Sequence, residues 1–135
     1  MGKIDDACKE VVNQVDGAVA CGVVDLDTGM LLGIHNASQY TQTMNEVVAA
    51  ATMDMFRGPN IGRIEKMVRS HRGVPENSEH YFQELHVTST HNFHFAKTIR
   101  GGKAVMMLVT KKTTNIGMGW AQLKAAIPIV EPLVP

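Results

Sequence analysis

Two stretches of this sequence, residues 18–24 (Ala-Val-Ala-Cys-Gly-Val-Val) and 104–109 (Ala-Val-Met-Met-Leu-Val), are apolar throughout. A half-exposed strand alternates apolar and polar positions, so strands with no polar side have both faces covered and lie inside a sheet. Any fold open to this chain must therefore place two central strands between covering layers. Turn chemistry supplies the neighbours. Asp25-Leu26-Asp27-Thr28-Gly29 predicts a tight turn, because Asp bonds its own downstream backbone and Gly accepts positive φ; Met30 to His35 then return as a second strand. Residues 85–90 alternate, turn near His91-Asn92, and continue through 93–99; Arg100-Gly101-Gly102-Lys103 turns the chain again into 104–110.

Helical spacing fills the intervals. Ile4, Cys8, Val11, Val12 and Val15 make one stripe over residues 4–15, ended by Gly17. Ser38 can cap a second helix running to about Arg57, with Met44, Val47, Val48, Ala51 and Met55 along one side. Gly58-Pro59 breaks that helix, Ile61, Ile64 and Val68 predict a short one beyond it, and residues 71–78 read as a polar loop. A last helix is capped by the 113–115 segment, carries Ile116, Trp120, Leu123 and Ile127, and is expected to stop at Pro128. The order is α-β-β-α-β-β-β-α. Strands joined by short turns are antiparallel, so a hairpin and a three-stranded meander can share one sheet, with one helix on the first face and two on the second: an α/β (α+β) domain.

Thirteen Lys plus Arg balance thirteen Asp plus Glu, so the chain lacks the field that gathers nucleic acid or anionic lipid. No apolar run approaches the roughly 20 residues of a membrane span. The first residues show no secretory signal, and Cys8 and Cys21 fall on apolar positions where thiols act as small hydrophobes. A cytoplasmic location is expected, with neither nucleic acid nor membrane as partner. Length points to a single domain over 1–135.

The strand-turn-strand from Val19 to Leu32 and the closing Thr114-Asn115-Ile116-Gly117-Met118-Gly119-Trp120-Ala121-Gln122-Leu123 resemble the roadblock/dynein light-chain family, its bacterial members above all. The resemblance covers nearly the whole chain. It implies a profilin-like, five-stranded antiparallel sheet sandwiched by helices, and a homodimer in which the strand at about 82–90 pairs with its twin while the helix at about 38–57 packs beside its own copy. The dimer residues would be Leu85, Val87 and Ser89 with Met44, Val47, Val48, Ala51 and Met55, and Met53 would add apolar area. The stretch at about 57–79 departs from the family as a longer, polar insertion. Family members that bind or regulate small Ras-like GTPases imply a non-catalytic scaffold or regulator, with such a GTPase as partner. The alternative is a small-ligand-sensing module of similar sheet-and-helix shape.

No residue set points to catalysis, a cofactor or a metal. His86, His91 and His94 cluster in sequence, but a two-residue turn at 91–92 would pair Ser89 with His94 and place His86 opposite Lys97, which keeps the imidazoles from converging on a zinc ion. His35, His71 and His80 add no ligand spacing. Asp25 and Asp27 are explained by their turn, and Asp5 and Asp6 by the first turn of a helix. Gly101-Gly102-Lys103 lacks the following helix of a phosphate loop. Ser89 near a histidine lacks both the nucleophile elbow and a third orienting group. Lys111 and Lys112, with Arg100 and Lys103 across the meander, could form a small basic edge. Trp120 is expected to pack on the sheet.

Overall fold

The computed structural model describes residues 2–37, 41–75 and 80–135. Its elements are α1 (Lys3–Gln14), β1 (Ala18–Asp25), β2 (Leu31–Asn36), α2 (Gln42–Arg57), α3 (Pro59–Arg72), β3 (Glu84–Thr88), β4 (Asn92–Ile99), β5 (Ala104–Lys111) and α4 (Ile116–Val130). The order expected from the sequence holds, with α3 standing inside the 57–79 stretch. The strands form one antiparallel sheet, β2-β1-β5-β4-β3. The two fully apolar strands are its centre and pair with each other, Cys21 opposite Leu108 and Val23 opposite Met106.

Alternation along these strands splits the core in two. Cys21, Val23, Met106, Leu108 and Phe95 face α1 and α4, where they meet Cys8, Val11, Leu123 and Ala126. Val24, Val105 and Ala96 face the other way, toward Ala49 and Phe56 of α2. Cys8 and Cys21 are both buried free thiols; the neighbouring Cys8 side chain first, and burial second, push the Cys21 pKa well up, which keeps it an unreactive thiol.

The two sheet edges differ. At β2, Asp5 of α1 accepts a hydrogen bond from the Ile34 backbone N–H at 2.8 Å, and Ile4 sits so close over Gly33 that a Cβ there would lie 2.4 Å from its side chain. This edge is sealed by a helix, as edges must be if they are not to recruit other strands. At β3, Val87 is 39% exposed, and no element among the described residues covers the outer side of that strand.

Several sequence expectations shift. Ser38 lies outside the described residues; the α2 cap is Thr41, whose side chain accepts from the Met44 N–H at 3.1 Å. The helix after Gly58 is not short: it spans fourteen residues with Pro59 at its start, so His71 and Arg72 are helical rather than loop. Instead of an apolar stripe it buries Glu65 and Arg69. Glu65 accepts bonds from the Tyr81 N–H and from His80 Nδ1, anchoring the returning chain. Pro128 does not end α4, which continues to Val130, because Val130 and then Val134 are buried in the core and hold the last turn in place. The strand expected at 82–90 is Glu84–Thr88.

Helix α4 approaches β4 through Gly119: a Cβ there would lie 2.3 Å from the Phe95 ring, which is itself fully buried and edge-on to Trp120 at 5.3 Å. Gly119→Ala should therefore destabilise by about 1–3 kcal/mol, the usual cost of overpacking, read as a lower urea midpoint with unchanged slope; a midpoint equal to that of the parent would show that α4 sits further from the sheet.

Candidate functional site

Helix α2 leaves a row of apolar side chains exposed. Its sheet-facing side is Asn45, Ala49, Thr52 and Phe56, spaced by four, three and four. The stripe that looked apolar in sequence points elsewhere: Met44 is 46% exposed, Val47 63% and Val48 38%, Ala51 is exposed and Met55 half-buried. The periodicity is real, but the helix is docked through Phe56 and small residues, and its richer face is turned outward. Exposed Val and Met in a contiguous row mark an interaction surface more readily than single exposed apolar residues do.

The β3 residues share this side. Met55 of α2 and Leu85 and Val87 of β3 line one shallow groove, floored by Ala96 and Met107, with His94 at one side. Helix α2 packs over β1 and β2, so the same face of β3 and β4 is left half-open. Of the eight residues expected at a dimer contact, Met55, Leu85 and Val87 thus meet in one groove. Ser89 joins them indirectly, its Oγ 2.8 Å from His94 Nε2. Val48 lines a second hollow under α2, also bordered by His94. Met44, Val47 and Ala51 lie on the outer surface of the same helix.

The histidines do not converge. The hairpin register is not that expected: Ser89 N–H bonds Asn92 O at 2.9 Å, so Thr90 and His91 form the turn, Val87 pairs with His94 and His86 with Phe95. His86 lies tilted and edge-on against the Phe93 and Phe95 rings, centroids 5.5 and 5.1 Å away, on the face opposite His94. Among the described residues no three His, Cys, Asp or Glu side chains come together around a metal position. Ser89 and His94 do touch, yet no carboxylate orients the imidazole in any described contact, and Ser89 Oγ also bonds Asn92 O. The pair does not form a triad. Asp25 is spent on its turn, accepting from Asp27 N and from Thr28 Oγ1 at 2.7 Å. Gly102 presents its carbonyl to Arg57 at 2.8 Å rather than amides to an anion. The basic edge is not assembled: Arg100 and Lys103 lie at one end of β5, Lys111 and Lys112 at the other, separated by the strand's length. Trp120 is half-buried against the sheet, as expected.

The same architecture occurs in known structures. The Myxococcus xanthus MglB structure superposes with a TM-score of 0.68 at 16% identity, covering 96% of this chain and 93% of that one. A roadblock/LC7 domain from Streptomyces avermitilis superposes at 0.69 with 13% identity, covering 95% and 94%. This chain has the roadblock/LC7 fold. MglC from Myxococcus xanthus matches at 0.59 with 20% identity, covering 98% and 99%, and a further MglB structure, similar at 0.65 with 17% identity, has a tetrameric arrangement. No family model matches the sequence, and no curated protein matches it. The roadblock resemblance read from the sequence is thus met at the level of fold. Among the described residues no helix is long and apolar enough to cross a membrane.

Within this roadblock fold, burial first and the neighbouring His86 second lower the His94 pKa from its ordinary 6.5. The folded chain prefers neutral His94, so its contribution to stability is complete above about pH 6.5 and is lost as pH falls through the lower folded value. Urea unfolding from pH 7.5 to 5 should show a falling midpoint that flattens in His94→Gln; an equal slope in the variant would assign the acid sensitivity to other groups.

Proposed function

We propose that this chain is a non-catalytic, homodimeric scaffold or regulator that acts on a small Ras-like GTPase. The observation that carries the homodimer is the union, on one side of the molecule, of an edge strand and an apolar helix face that no element among the described residues covers. Either feature alone is common. Together they match what a two-fold contact needs: strand β3 pairing with its twin supplies backbone hydrogen bonds, while Met44, Val47, Val48, Ala51 and Met55 supply apolar area beside them. The sealed β2 edge leaves β3 as the strand available for such pairing. The tetrameric arrangement of a similar MglB structure supports self-association in proteins of this shape.

Leu85, Val87 and Ser89 would lie along the strand contact. A dimer built this way joins two sheets edge to edge into a broad platform, and the GTPase would dock on that composite surface. The GTPase assignment rests on the family resemblance and the MglB-like fold. The absence of a catalytic role rests on the occupation of Asp25, Ser89 and His94 in turn and hairpin bonds. The 57–79 insertion, with α3 at its core, would lie on the same chain as an accessory to docking within a single domain.

The dimer should be the main species by native mass spectrometry at micromolar concentration, and Val47→Asp and Val87→Lys should each give monomers with unchanged far-UV circular dichroism. A monomeric parent protein would remove the proposal. Purified dimer added to Ras-like GTPases of the same genome should change nucleotide hydrolysis or exchange severalfold for one of them, with Val47→Asp losing the effect. Unaltered rates and no co-elution with any of them would leave a scaffold without that partner.

A further inference from the structure

A cavity of about 170 Å³ lies between α2 and the sheet. Its floor is β1 and β5, its roof Val48 and Ala49 of α2, and His94 of β4 closes one side. The cavity exists because the facing positions are small. Gly22 is the clearest case. It does not have the positive φ found at Gly17, Gly29 or Gly73, and a Cβ built on it would meet Ile34 at 3.5 Å and the Gly33 carbonyl at 3.6 Å, ordinary contacts. Neither backbone nor sterics demands glycine there, and in a strand interior glycine costs stability. What it leaves is room.

The walls are apolar apart from three amides and one imidazole, and no Lys, Arg, Asp or Glu lines the space. Three of these polar groups are engaged: Asn92 Nδ2 donates to Thr110 O at 3.2 Å, His94 is bonded to Ser89, and Asn36 has a partner of its own. Asn45 is different. It is 9% exposed, its Oδ1 has no hydrogen-bond partner, and it sits on the sheet-facing side of α2 where Leu or Ile would pack better. An unsatisfied buried amide oxygen gives up its hydration for nothing, and such groups in a fold call for an explanation.

We infer that the cavity under α2 is a binding site for a compact, uncharged, largely apolar molecule carrying a hydrogen-bond donor that Asn45 accepts. The size follows from comparison: a cavity of roughly 150 Å³ lined by apolar residues takes benzene, so this one holds a single-ring molecule or its aliphatic equivalent. The charge follows from the walls, since an ion would lose its hydration and enter with no counter-charge to replace it. Ligand entry would bear directly on α2, whose outer face belongs to the proposed dimer contact, but the site itself does not depend on that contact.

Phenol, benzene and benzoate serve as probes of the intact chain, followed by saturation-transfer NMR and thermal shift, with the oligomeric state recorded alongside. Phenol should bind saturably and raise Tm, about two- to tenfold tighter than benzene, which is the worth of one neutral hydrogen bond; benzoate should not bind. Gly22→Val, which adds side chain into the space at a strand position that favours it, should keep the fold and abolish binding. Asn45→Leu should fold at least as stably and bind benzene at least as well as phenol. The inference is overturned if neither phenol nor benzene binds the parent, if Gly22→Val binds as the parent does, or if Asn45→Leu keeps the preference for phenol. None of these outcomes turns on whether a GTPase is bound.

Discussion

Everything in this molecule depends on the antiparallel ladder between β1 and β5. It joins the N-terminal hairpin to the C-terminal meander with residues 26–103 of the chain between its two strands, and it does so with the two strands that have no polar side. Once those strands pair, each face of the sheet presents apolar rows that water cannot be allowed to reach. On one face α1 and α4 complete the burial, with Phe95 set under Gly119 and the two thiols closed in the core. On the other face the covering is thinner. Helix α2 lies mainly over β1 and β2, reaching Val105 and Ala96 through Phe56 and Ala49, and small residues at Ala20, Gly22 and Ala49 leave space between the layers. The two unusual features of the structure, the cavity and the outward apolar stripe, both follow from that thin second layer.

The edges of the sheet show a parallel asymmetry. Asp5 satisfies the Ile34 amide and Ile4 presses onto Gly33, so β2 is closed to further strands by side chains of the first helix. Nothing comparable guards β3 among the described residues. In an antiparallel sheet with one sealed edge, strand addition has a single direction available, and the apolar side of α2 stands next to it. Helix α3 follows α2 and packs against it. It is held to the body by a buried carboxylate, Glu65, bonded to the chain at Tyr81 and His80, and its Ile64 and Met67 remain exposed. A helix docked by polar bonds rather than by an apolar stripe adds surface without adding core.

Much of this was legible in the sequence because it is governed by local pattern. The doubly apolar strands, the Asx turn at Asp25, the αL glycines at Gly29 and Gly101, the break at Gly58-Pro59 and the stripes of α1 and α4 all have short-range causes. Misreadings occurred where a second cause competed. Pro128 signals a helix end, yet burial of Val130 carries the helix past it. Thr90-His91 and His91-Asn92 are both acceptable turns, and the choice shifts the pairing along the whole hairpin. Ile61, Ile64 and Val68 resemble a core stripe, but Ile61 and Val68 are only half-buried and Ile64 is exposed, while Glu65 turns inward instead.

The sequence by itself determined which segments are strands and helices and which strands are central, because hydrophobic period and turn chemistry are properties of neighbouring residues; the roadblock-like architecture was implied by a family resemblance. Only the tertiary structure decided which side of α2 faces the sheet, which sheet edge is sealed, and that Asn45 and Gly22 border an unfilled space. Those outcomes depend on the volumes and distances of side chains from separate segments brought together. No periodicity within one segment contains them.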